Sequence, residues 1–180
     1  MHELATQNLL LGLVVPESAD SNSHAIERLA RTLAFSSGQF ALILACCDDK
    51  LLRHKLAKQL GKLAGHPITE ITLSPDTNNL LKTLEKATQT PSSALMVDGL
   101  ETVKDLDTVL MGANLSRNQF QAQCPFPLIL WIDNAILAKL RRLAPDLRSW
   151  AGNPIRFESS PLSPTQKREY FPPQIVAVGV

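Results

Sequence analysis

Aromatic residues make up only 5% of this 180-residue chain, and neither sign of charge dominates: 18 lysines and arginines stand against 17 aspartates and glutamates, a formal net charge of +1. The first scarcity argues against a base-stacking platform, and the second against a field that draws nucleic acid or an anionic membrane. Cysteine is scarce too. Cys46, Cys47 and Cys124 are an odd number without metal-type spacing, and His2, His24, His54 and His66 are scattered, so neither a disulfide framework nor a metal site is expected. No apolar run approaches the ~18 residues of a membrane span, and no charged stretch followed by an apolar one marks a leader, so a reducing cytoplasm is the expected compartment. Missing as well are the phosphate loop G-x-x-x-x-G-K-S/T, the dinucleotide fingerprint G-x-G-x-x-G and the nucleophile elbow G-x-S-x-G.

What the chain does have is a set of uninterrupted apolar runs. Ala94-Leu95-Met96-Val97 lacks polar alternation, as a strand buried on both faces must, and ends in Asp98-Gly99. Phe40 to Cys47 and Leu128 to Ile132 read the same way, the first followed by Asp48-Asp49 and the second by Asp133-Asn134. Ile68 to Leu73 alternates, as a half-exposed strand does, and Asn153 to Glu158 makes a short last strand.

Helical periodicity fills the gaps. Ile26, Leu29, Ala30, Leu33 and Ala34 share a face from His24 onward, after a polar loop from Glu17 to Ser23. Asp48 or Asp49 caps the next helix, with Leu51, Leu52, Leu56, Leu60 and Leu63 inward and Lys50, Arg53, Lys55, Lys58 and Lys62 largely outward. Ser74-Pro75-Asp76 opens a helix with Leu80, Leu81 and Leu84 on its core side, and Thr90-Pro91 ends it. Val103 to Leu110, closed by Gly112, the polar stretch Asn114 to Gln123, and Ile136 to Leu143, broken by Pro145, complete the set. Strands alternating with helices predict an α/β fold, a three-layer α/β/α sandwich on a mainly parallel five-stranded sheet. The expected organisation is an N-terminal arm over residues 1–23, one α/β domain over 24–158 and a proline-rich tail over 159–180.

In an open α/β sheet ligands bind outside the carboxyl ends of the strands. That makes Asp98 the first candidate, as the fixed acid of a magnesium-nucleotide site, against the plainer reading of a strand that ends in a turn. The order of elements, with Met96-Val97-Asp98 at the Walker B position and Leu130-Trp131-Ile132-Asp133-Asn134 at that of the polar-tipped sensor strand, resembles the ASCE division of P-loop NTPases. Within that division the chain is most similar to the AAA+ and STAND type, over roughly residues 26–158 and by pattern rather than by a specific motif.

The departures from the family matter more. Ala45-Cys46-Cys47-Asp48-Asp49-Lys50 stands where a Walker A loop belongs, without glycine and with two carboxylates that would repel a polyphosphate. Gly99 replaces the catalytic glutamate, and Glu101 is displaced by two residues. Arg117 at the place of an arginine finger reads more simply as a solvated helix residue, and Cys46 or Cys47 beside His54 more simply as an inert buried thiol than as a nucleophile.

The resemblance therefore implies a non-catalytic regulatory or protein-interaction domain that has lost NTP hydrolysis, not an enzyme, with no cofactor and a protein partner. Lys50, Asp98 and Asp133 are the candidates for a vestigial nucleotide site, and Leu9, Leu11 and Val14, in the apolar segment Leu9 to Val15, for the interaction surface. The alternative is a nonstandard nucleotide sensor or an ATPase-related subunit of a larger assembly. Nucleic acid would then meet the basic helix Lys50 to Lys62, a weaker expectation because a charge run is usually a solvated face.

Overall fold

The computed structural model describes residues 17–87 and 93–159. The apolar runs become the strands β1 (Ala41–Cys46), β3 (Ala94–Asp98) and β4 (Pro127–Ile132), flanked by β2 (Ile68–Thr72) and the two-residue β5 (Ile155–Arg156). They form one sheet in the order β2-β3-β4-β1-β5, and every pairing is parallel. β1 and β4 match residue for residue from Ala41 beside Pro127 to Cys46 beside Ile132, whereas β5 reaches only Ala45 and Cys46 of β1.

Why the central strands carry no polar alternation is visible in their two faces. Leu42, Leu44, Leu95, Val97, Leu128, Leu130 and Ile132 point into one apolar layer, and Ile43, Ala45, Met96, Ile129 and Trp131 into the other. Against the second layer lie α1 (Glu17–Phe35) and α2 (Lys50–Leu63). The first is covered by α3 (Leu80–Ala87), α4 (Leu106–Leu115), α5 (Arg117–Gln123), α6 (Asn134–Leu143) and α7 (Pro145–Trp150). A side-chain period of two with both faces apolar is what a parallel sheet between helix layers requires. No helix among the described residues is long and apolar enough to cross a membrane.

Several boundaries differ from the sequence expectations, each for a local reason. α1 begins at Glu17 rather than His24; its first turns carry no apolar periodicity, yet the side chain of Asn22 exchanges two hydrogen bonds with the backbone of Glu158, at 2.8 and 2.9 Å. Ser74-Pro75-Asp76 forms a turn instead of opening a helix. The cap of α3 is Asn79, whose Oδ1 accepts from Lys82 N at 2.9 Å. α4 continues through Gly112 to Leu115, whereas α6 does end at Leu143, before Pro145, which then starts α7, where its missing N–H costs nothing. Leu51 and Leu63, expected inward, are exposed. Thr90-Pro91, the segment Leu9 to Val15 with Leu9, Leu11 and Val14, and the tail from residue 160 lie outside the described residues.

Candidate functional site at the carboxyl ends of the strands

At the end of β1 the two aspartates divide the work. Asp49 caps α2, its Oδ1 accepting from Leu51 N at 2.8 Å and Leu52 N at 3.1 Å. Those amides belong to the first turn of the helix, where an anion would otherwise be received, and a carboxylate of the chain already occupies them. Asp48 reaches across to the next mouth, accepting from Asn134 N at 2.9 Å and from Asn134 Nδ2 at 2.7 Å. Asn134 Oδ1 in turn accepts from Arg156 Nη1 at 2.8 Å, so the ends of β1, β4 and β5 are laced together.

Asp133, at the end of β4, turns back on its own helix and accepts from Ile136 N at 2.7 Å as the cap of α6. Asp98, at the end of β3, caps no helix: the 3-10 turn Leu100–Thr102 that follows has Gly99 at its start and no side-chain cap bond. Gly99 follows with φ +86°, a left-handed conformation in which a Cβ would sit 3.1 Å from Leu73 O and 3.2 Å from Leu73 N. The close approach is fixed by Leu73 N, which donates to Asp98 O at 2.9 Å. Only glycine suits a positive φ against so near a backbone.

The partner of Asp98 is Arg53. Expected on the outer face of α2, this arginine is instead 2% exposed. Nη1 donates to Asp98 Oδ1 at 2.6 Å and to Glu101 Oε1 at 3.1 Å, and Nη2 donates to Cys47 O at 2.8 Å. Lys50 closes the outside of the cluster, with Nζ 3.3 Å from Glu101 Oε1. Burial alone would lower the Arg53 pKa, but its hydrogen bond to Asp98 and the charges of Asp98 and Glu101 raise it above the ordinary value. Burial likewise works to raise Glu101, and is outweighed by its own backbone N–H, Arg53 and Lys50, which hold the carboxyl below the usual 4.5.

The correction has a physical cause that lies in the spacing. Positions 53, 56, 57 and 60 stand at i, i+3, i+4 and i+7, and all four are buried. Arg53 occupies the buried face of α2 in its first turn, where its guanidinium reaches the carboxylates at and just after the end of β3. In the sequence the spacing points inward and the residue type outward.

Of the three residues singled out from sequence, Lys50 and Asp98 are brought together through Glu101 and Arg53, each in an ion pair. Asp133 stands apart, in a groove of about 560 Å³ lined also by Glu101, Lys104, Asp105, Asp107 and Lys139. There too the charged groups are engaged: Asp105 caps α4 through Thr108 N at 3.2 Å, Asp107 pairs with Lys139 and with Arg142, and Lys104 pairs with Asp76. Beneath Arg53 lies a cavity of about 80 Å³, also lined by His54, Thr72 and Trp131. Nucleotide-sized ligands ask for roughly 300 Å³ or more.

Arg117 sits away from this end, on Asp146 of α7 at 3.5 Å and on Asn114 O at 3.1 Å. The thiols of Cys46 and Cys47 are buried, and burial pushes both up despite Arg156 beside Cys46 and Arg53 near Cys47. Cys47 Sγ is 3.4 Å from Asp49 O, and Cys46 Sγ is 3.8 Å from Asn134 Oδ1. Neither is poised as a thiolate nucleophile.

No known family model matches this chain, and no curated protein does.

Proposed function

We propose that this chain is a non-catalytic regulatory or protein-interaction domain, built on a P-loop NTPase-like sheet of the ASCE division, AAA+/STAND type, that has lost NTP hydrolysis. The observation that carries the reading is the guanidinium of Arg53, buried and hydrogen-bonded to Asp98, Glu101 and Cys47 O at the carboxyl ends of β1 and β3, where a fold of this kind would receive phosphates and magnesium. An arginine already neutralised by two carboxylates has little to offer a phosphate, and a carboxylate held at 2.6 Å by an arginine has little to offer a metal ion.

The strand order supports the fold part of this reading. β4 lies between β1 and β3, so the strands at the Walker A, sensor and Walker B positions end side by side. Those ends are where a nucleotide would need its loop, its polar tip and its acid, and here each is occupied by a neighbour in the same chain: Asp49 by its helix, Asp133 by its helix, Asp98 by Arg53.

The test is thermal unfolding of the full chain with magnesium and ATP or GTP, beside a turnover assay. A ligand that binds only the folded state, present at a hundred times its dissociation constant, adds about 2.7 kcal/mol of stability. The expected result is no shift and no product. Turnover abolished by Asp98→Ala overturns the reading.

A further inference from the structure

The cavity beneath Arg53 is built on a row across three strands. Thr72 stands beside Asp98 in the register of β2 and β3, and the register that sets Val97 beside Leu130 brings Trp131 of β4 to the same level. By the two-residue period of a strand, Glu70 and Thr72 share the face of Ile68, and Asp98 that of Met96, so the row lies on the side of α2. Arg53, His54 and Ala57 of α2 supply the opposite wall. β2 is an edge of the sheet, and His54, Glu70 and Thr72 are exposed there, so the cavity opens to solvent at that side.

Two residues that line it carry a buried N–H without an acceptor. Trp131 is 1% exposed, its ring against Phe157 with centroids 5.4 Å apart, and its Nε1 has no hydrogen-bond partner among the described residues. Arg53 spends Nη1 and Nη2 on Asp98, Glu101 and Cys47 O, and its Nε is likewise buried and unpartnered. Buried N–H groups are nearly always matched by an acceptor, from the protein or from something bound. The cavity thus has donors among its buried residues and the carboxylate of Glu70 toward solvent.

We infer that this cavity binds a small uncharged carbonyl compound of the primary-amide class, its oxygen accepting from Trp131 Nε1 and Arg53 Nε and its N–H groups donating to Glu70. Size sets the first limit. About 80 Å³ exceeds the roughly 10–15 Å³ that one water needs and falls well short of a drug-sized pocket, so the occupant has a handful of non-hydrogen atoms. Charge sets the second. An anion would meet Asp98 and Glu70 in the lining, while the charge of Arg53 is already answered by Asp98 and Glu101. A cation would suit the carboxylates and leave both buried N–H groups without an acceptor. A primary amide has an acceptor at one end, donors at the other and no net charge. The site stands apart from any nucleotide: with Arg53 engaged by its carboxylates, this room beneath it remains.

The experiment is titration of the isotope-labelled full chain with acetamide, followed through the two indole N–H signals in nuclear magnetic resonance, those of Trp131 and Trp150. Trp150 stands beside Phe40 at the amino end of β1 and serves as the control, and Trp150→Phe assigns the two signals. A molecule of so few atoms is a millimolar ligand. Acetamide should move the Trp131 signal along a saturating curve and leave that of Trp150 in place. Sodium acetate should saturate neither, and Glu70→Ala should weaken acetamide about fivefold. No saturating shift of the Trp131 signal by about 0.1 M acetamide overturns the inference and leaves the cavity to water. Equal shifts of both signals, saturation by acetate over the same range, or an affinity unchanged in Glu70→Ala overturn it as well.

Discussion

β3 and β4 leave the core in the same way, each a buried apolar run ending in an aspartate, yet the two carboxylates do different work. Asp133 is spent locally, capping α6 three residues on through Ile136 N. Asp98 is spent at long range, because the left-handed Gly99 turns the chain away into a 3-10 turn (Leu100–Thr102) and leaves no helix start for it to cap. Its carboxylate meets α2, 45 positions earlier in the chain, at Arg53. An acid at a strand mouth is therefore not by itself a metal or nucleotide ligand. What decides is whether a helix begins beside it and, if none does, which cation the packing delivers.

The contrast breaks most visibly at Arg53. Replacing one member of a buried, hydrogen-bonded charge cluster leaves the others unpaired, and costs commonly run to several kcal/mol. Here Asp98 keeps 45% of its side chain in solvent while Glu101 keeps 16%, so water relieves part of the loss. Arg53→Ala should destabilise the fold by about 3 kcal/mol in urea unfolding, and Arg53→Met, which keeps the apolar stem, by distinctly less.

Next in size is Gly99, which gives Asp98 its different fate. Gly99→Ala forces a left-handed backbone on an L residue and brings Cβ against Leu73, and should cost about 2 kcal/mol. For Asp133, only a cap is at stake. Asp133→Ala should cost about 1 kcal/mol in urea unfolding.

The smallest expected effect is on pH. Glu101 has a folded pKa held below the usual 4.5, so its ionised form contributes stability that is fully present above that value and is lost as pH falls through the lowered one. Glu101→Gln should flatten the acid limb of the stability profile below 4.5 and leave its shape near neutrality as it was.

These two strand ends also show how far the sequence could be read. The uninterrupted runs of β1, β3 and β4 declared double burial, and Asp48-Asp49 declared a helix cap, because both signals are carried by neighbours in the chain. The order β2-β3-β4-β1-β5 is not written in any run, since nothing in Pro127–Ile132 says that it inserts between β1 and β3. Glu17 to Ser23 reads as a loop because its residues carry no apolar stripe, and helical backbone does not require one. Arg53 was legible by position and hidden by chemistry: its spacing with Leu56, Ala57 and Leu60 marked the inner face, but a cation there makes sense only once Asp98 and Glu101 are brought opposite by the fold.

The most direct test of the account is a double-mutant cycle of Arg53→Met with Asp98→Ala, run beside the same cycle with Asp133→Ala, by equilibrium unfolding. If Asp98 is held by Arg53, the first cycle shows a coupling of about 2 kcal/mol and the second shows none beyond error. Additive effects of Arg53 and Asp98 would mean that the two do not hold each other. Asp98 would then be free at the mouth of the sheet for a ligand, and the account of a site closed by its own side chains would be contradicted.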